Sequence, residues 1–160
     1  MCDYSLMAVP NRLAVEGEEL AAHRFPTGSM GLASRADLER AAVAAQARRK
    51  GVWTALKEFF SPPLRQPVPA VCIPPGARLW LQDIPGRLQT ELHVGPEEEV
   101  SFTQIGAAVN TYRDAVRFSN GCQIRLQELR EGQRVKVLDL SLAEPFESPV
   151  EEYSHFVHSH

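Results

Sequence analysis

Residues Ala115 to Leu129 constrain the fold of this chain more than any other stretch. Val116 and Phe118 alternate into Ser119-Asn120-Gly121, and Ile124 and Leu126 resume the alternation on the far side. Asn-Gly accepts positive φ at both central turn positions, the geometry that a tight, right-twisted hairpin requires. A second turn follows at Glu131-Gly132, ahead of Val135, Val137 and Leu140. The spacing predicts a three-stranded antiparallel meander, about half of a small barrel.

Further strands are expected upstream. Cys2 to Leu6 alternates and is broken by Val9-Pro10-Asn11; Glu19 to Phe25 and Ser29 to Ala33 flank the Pro26-Thr27-Gly28 turn. After the middle of the chain, Val71 and Ile73 lead through Pro74-Pro75-Gly76 to Leu79, Leu81 and Ile84, closed by Pro85-Gly86. Leu88, Thr90, Leu92 and Val94 alternate as one more strand, and Val100 to Ile105 does so more faintly.

Between these two groups the period changes. Leu38, Ala42, Ala45, Val52, Leu56 and Phe59 recur at the spacing of one helix face. Ser34 is positioned to cap that helix, and Asp37 suits the positive end of its dipole. Gly51 costs about 1 kcal/mol relative to Ala inside a helix, so the segment divides into Arg35 to Lys50 and Val52 to Phe60, before Ser61-Pro62-Pro63 ends it. Leu64 to Pro69 reads as an extended connection. The expected fold class is therefore α+β: a small, mostly antiparallel β-barrel or meander with one helical segment at about residues 35–60. Residues 1–143 form a single domain in this reading. Residues 144–160 form a tail with Glu144, Glu147, Glu151 and Glu152 and no basic residue.

A chain of 160 residues that is 44% hydrophobic is long enough to bury a core without staples. Its 17 basic and 20 acidic residues give a formal charge of −3, with no overall electrostatic footprint for nucleic acid. Apolar runs stop well short of the roughly 20 residues of a membrane span. The N-terminus lacks the basic and apolar regions of a secretion signal, which places the chain in the cytoplasm. Three widely spaced cysteines, Cys2, Cys72 and Cys122, fit neither a disulfide framework nor a metal motif, so reduced thiols are expected.

Cys2 is the leading catalytic candidate. Removal of Met1 would leave an α-amino group on the residue that bears the thiol, the arrangement of N-terminal nucleophile enzymes, and the thiolate is also a metal ligand. A core or edge cysteine is the commoner reading. His23 and Arg24 lie on a strand that pairing can bring beside Cys2, and Tyr112, Arg113 and Asp114 precede the best hairpin, where a loop can line the mouth of a barrel. All five are candidate binding residues; solvated strand and loop positions are the commoner account of each. His155, His158 and His160 can chelate adventitiously, but no resident metal or cofactor is specified. Residues 35–58 hold six basic and three acidic residues, including the run Arg48-Arg49-Lys50, without the aromatic platform of single-strand nucleic-acid binding. Trp53, Phe59 and Phe60 suit a core or a partner interface. Glycine-rich nucleotide loops, HExxH and GxSxG are absent from the sequence.

The opening Met1-Cys2-Asp3-Tyr4-Ser5-Leu6, the stretch Val71, Cys72, Pro75, Gly76 and the run Leu129, Gly132, Gln133, Val137, Leu138 resemble a group of short bacterial proteins of unassigned activity. The resemblance implies a shared fold and no named chemistry. It does not extend to the helical insert or the acidic tail, and Tyr112 and Arg113 stand where that group carries a histidine pair before the aspartate. The expected function is that of a small binding or accessory protein with a protein partner or small ligand, and the alternative is an activity that depends on Cys2.

Overall fold

The computed structural model describes residues 8–50, 67–106 and 112–143. Its strands are β1 (Asn11–Leu13), β2 (Glu19–Arg24), β3 (Met30–Ser34), β4 (Ala70–Cys72), β5 (Arg78–Leu81), β6 (Glu98–Gln104), β7 (Asp114–Phe118), β8 (Gln123–Arg125) and β9 (Arg134–Asp139). The helices among the described residues are α1 (Arg35–Lys50) and α2 (Gly86–Leu92). The nine strands make one sheet in the order β1-β4-β3-β2-β9-β5-β6-β7-β8. Only β1 and β4 run parallel; every other neighbouring pair is antiparallel. The protein is α+β with a mixed sheet.

Strand pairing does not return from β8 to β1, so the sheet is open and the expected barrel is not formed. It curls strongly all the same. A 3-10 turn, Leu126–Glu128, follows β8 and packs against β3, where Gln127 Nε2 donates to the Met30 carbonyl at 3.2 Å. Alternation sends Leu20, Leu79, Leu81, Phe102, Val116 and Val135 into one buried cluster on the inside of the curl. Ala33 and Ala70 are register partners, and they face a second, smaller cluster with Val9 and Phe25, against which Leu38 of α1 packs. Small side chains on that outer face let the helix approach the sheet closely.

Several expectations hold. β2 and β3 pair across the Pro26-Thr27-Gly28 turn, α1 covers Arg35–Lys50, and β6 pairs with both β5 and β7 as the longest described strand. Others need correction. Leu88 to Val94 is not a strand: Gly86–Leu92 is α2, with Gln89 N–H bonded to the Pro85 carbonyl at 3.0 Å and an Arg87–Glu91 pair at 2.7 Å one turn apart. Leu88 and Leu92 share a helix face as readily as a strand face, and both pack on the main core. His93 then ends the helix in the left-handed region at φ 55°.

The β7–β8 hairpin forms in the expected register, Val116 opposite Ile124, but its turn differs. Positive φ falls on Gly121 alone, and a three-residue loop is closed by Phe118 N–H to the Cys122 carbonyl at 2.9 Å. The Asn120 side chain is used instead, donating to the Leu92 carbonyl at 2.7 Å. Glu131-Gly132 does not return the chain to β8. Leu126 and Leu129 plug the core, Gly132 N–H bonds the Ala22 carbonyl at 2.7 Å, and β9 inserts between β2 and β5. The strand expected at Cys2 to Leu6, the helix at Val52 to Phe60 and the tail lie outside the described residues.

Candidate functional site

The most connected charged group lies where β1, the β1–β2 turn and the start of α1 meet. Arg12 projects from β1 and makes a two-pronged ion pair with Glu18, one arm at 3.1 Å. Glu18 also accepts the Val15 N–H at 3.1 Å, and the nearby Ser34 hydroxyl helps to hold its carboxyl charged. The Arg12 hydrogen bond is the main reason that the Glu18 carboxyl is held below its ordinary range, against an opposing cost of burial. Asp37, in the first turn of α1, lies 3.8 Å from Arg12 and pairs with Arg40. The carboxylates of Glu18 and Asp37 are both only 14% exposed, so these two are largely screened from water while their arginine partners are not. It locks the N-terminal end of α1 to the sheet. No sequence motif announced it, because positions 12, 18, 34 and 37 meet only through the fold.

His23 and Arg24 sit at the exit of β2. His23 Nδ1 is 3.5 Å from Glu131 Oε1, and its ring stands edge-on to Phe25 at 5.0 Å between centroids. Arg24 donates to the Gly28 carbonyl at 3.0 Å, and its backbone N–H meets Glu131 at 3.4 Å. The buried hydroxyl of Ser29, in the adjoining turn, has no hydrogen-bond partner.

Tyr112, Arg113 and Asp114 lie at the entrance to β7. Tyr112 is exposed, Arg113 Nε donates to the Gly106 carbonyl at 2.9 Å, and the buried Asp114 accepts from Gln104 Nε2 at 3.0 Å. Asp114 pairs with Gln104 at the end of β6, and the antiparallel chain of pairings through β5 and β9 carries that end of the sheet to the start of β2. His23 and Arg24 occupy the opposite end of β2. The two candidate groups are therefore at opposite ends of the sheet, and the structure does not assemble them into one site.

Cys2 lies outside the described residues, as do Trp53, Phe59, Phe60 and the three terminal histidines. Cys72 is buried at the end of β4 and is disulfide-bonded, whereas Cys122 is a half-buried free thiol. The expectation of reduced thiols is thus corrected at Cys72. Among the described residues, no group of three or more His, Cys, Asp or Glu side chains is placed to hold a metal ion. No described helix is long and apolar enough to cross a membrane.

One surface stands apart from these polar corners. The first part of α1 is seated through Leu38 and the Arg12 group, but every residue from Ala42 to Ala47 is exposed. Val43 is 67% exposed, on a helix whose neighbours are mostly alanines. No family model matches the chain, and neither a curated protein sequence nor a solved structure matches it.

Proposed function

We propose that this chain is a binding or accessory protein rather than an enzyme, and that the outer part of α1 receives a protein partner. The observation that carries the reading is the exposure of Ala42, Val43, Ala44, Ala45 and Ala47 together, around a helix that extends past its seat on the sheet. Alanine favours the helix intrinsically, but short helices are marginal in water without something to pack against. Alanines also let a partner's backbone and large side chains come close.

Charge narrows the partner. Five basic and two acidic residues lie on α1, in a chain whose net charge is −3. Asp37 and Glu39 are paired with Arg40 and Arg35, and the sequence of the helix closes on the basic run Arg48-Arg49-Lys50. The complement is an acidic protein surface with an apolar groove.

A photo-reactive amino acid at position 43, with the exposed α2 position Arg87 as control, tests the proposal. The expected result is a discrete protein adduct from position 43 alone, lost when Arg48, Arg49 and Lys50 are changed to Glu and weakened by salt. Val43→Asp should also abolish the adduct's formation from a neighbouring probe at position 47 while shifting stability by less than about 0.5 kcal/mol. Equal yields at positions 43 and 87, an adduct only with nucleic acid, or one only with a second copy of the chain would each refute it.

A further inference from the structure

A second surface lies on β6, β7 and β8, apart from the strands that seat α1. The residues that alternate with the buried Phe102, Val116 and Ile124 face outward there: Ser101 and Thr103, Ala115 and Arg117, Gln123 and Arg125. Register sets Ser101 beside Arg117 and Gln123 in one row, and Thr103 beside Ala115 and Arg125 in the next. Arg117 and Arg125 are thus diagonal neighbours across the hairpin, roughly 7–8 Å apart at the backbone and within reach of two long side chains. Ala115, between them, adds only a methyl group.

Both arginines are exposed, and among the described residues no carboxylate lies within ion-pair distance of either. The acidic side chains that border them are engaged elsewhere: Glu99 accepts from Arg78 Nε at 2.6 Å, and Glu128 accepts the Arg125 backbone N–H at 3.3 Å. Gln123 turns its side-chain carbonyl to Arg117 Nε at 2.9 Å and so orients that guanidinium. What remains facing outward is a set of donors: two guanidinium groups, the hydroxyls of Ser101 and Thr103, and the Gln123 amide NH2.

We propose that this face binds a phosphorylated serine or threonine side chain of a protein partner, independently of the α1 surface. A phosphate monoester carries close to two negative charges and several acceptor oxygens, which suits two guanidinium groups that repel each other when no anion lies between them. The patch fits one such group. Glu97, Glu98 and Glu99 on one side and Glu128 on the other oppose a continuous polyanion such as nucleic acid or an anionic bilayer. Trp80, the aromatic residue of this face, is half-buried and donates to Glu97 at 3.3 Å, so it offers no open platform for a base. The backbone also favours a peptide. β8 ends the strand order, and by alternation from the Phe118 N–H to Cys122 carbonyl bond, the N–H and C=O of Gln123 point away from β7 to the open edge. An extended peptide laid along that edge places every second side chain on the arginine face.

The test titrates the full, isotope-labelled chain with a short phosphoserine peptide flanked by alanine and valine, with the same peptide unphosphorylated, and with inorganic phosphate, following backbone and arginine Nε–H resonances by NMR. The phosphopeptide is expected to move Arg117, Gln123 and Arg125 and to bind at least about tenfold more tightly than either other probe. Arg117→Gln and Arg125→Gln should each weaken it about tenfold and lessen its salt dependence, whereas Arg87→Gln on α2 should leave it unchanged. Both variants keep an exposed polar side chain, so unchanged resonances elsewhere show the fold intact, and retained affinity in both counts against the inference. Equal affinity for the two peptides, inorganic phosphate bound as tightly as the phosphopeptide, shifts centred on α1, or no binding of the phosphopeptide would each overturn it. Tighter binding of a single-stranded oligonucleotide in the same titration would overturn it in favour of nucleic acid.

Discussion

Replacing Glu18 with Gln keeps the side chain's shape and removes its charge. The carboxylate receives Arg12 through two nitrogens and also the Val15 N–H, with the Ser34 hydroxyl nearby. An amide can keep one of these as acceptor, but its NH2 group then faces the guanidinium or the other donors. A hydrogen bond to a charged group contributes about 1.5–3 kcal/mol, and the partial exposure of Arg12 trims that toward the lower end. The expected loss at pH 7 is about 2 kcal/mol, equivalent to roughly 4–8 °C in Tm for a domain of this size. Because the Arg12 pair holds the folded-state carboxyl below the ordinary glutamate range, this stability is fully present above that range and is lost as pH falls through the folded-state pKa. Urea melts of both proteins at pH 7, 5 and 3.5 check this. The gap between them should stay constant from pH 7 to 5 and be narrower at pH 3.5, because there the unfolded chain's carboxyl takes up a proton while the folded-state carboxyl resists it. A gap that is the same at all three values would show that Glu18 acts by packing and not by charge, and the reasoning would fail.

Gly76→Ala should destabilise more than Gly28→Ala, although both glycines have positive φ, +89° and +83°. A methyl group at position 76 would collide with the Leu142 carbonyl and lie 3.4 Å from Ala143 Cα, whereas one at position 28 meets nothing within 4 Å. Backbone strain alone costs about 1–2 kcal/mol at either site, so denaturant melts should separate the two by a further 1–2 kcal/mol. Ser29→Ala removes a buried hydroxyl without a partner and should stabilise the protein by roughly 1 kcal/mol, read by the same melts.

How much of this was legible in the sequence depended on whether the signal was local. The β2–β3 hairpin and the extent of α1 followed from turn residues and a change of period, both contained in a few neighbouring positions. The Leu88–Val94 segment misled because Leu88 and Leu92 fit period two and period four alike; the deciding features were Pro85 before Gly86 and the Arg87–Glu91 spacing. The β7–β8 register was legible and its turn was not, since Asn120 serves through its side chain rather than through a left-handed backbone. The destination of β9 was illegible for a different reason. Its alternation suits any neighbour, and only the fit of Leu126 and Leu129 into the curled core sends it past β8 to β2.

Candidate sites were less legible than strands because chemistry depends on which ends of the sheet meet. His23 with Arg24 and Tyr112 to Asp114 were each reasonable as loop or strand-end polar groups, and each is now tied into local hydrogen bonds at its own end. What the sequence pattern did carry was the composition of α1, though its meaning comes only from the sheet beneath it. Ala33 and Ala70 make a small floor that seats one turn around Leu38, and the Arg12–Glu18–Asp37 group fixes the direction in which the helix leaves. A floor that short supports the start of α1 and not its continuation. The alanine-rich stretch Ala42 to Ala47 is thereby left exposed, and a rigidly held base is what would let it meet the proposed partner without first being ordered.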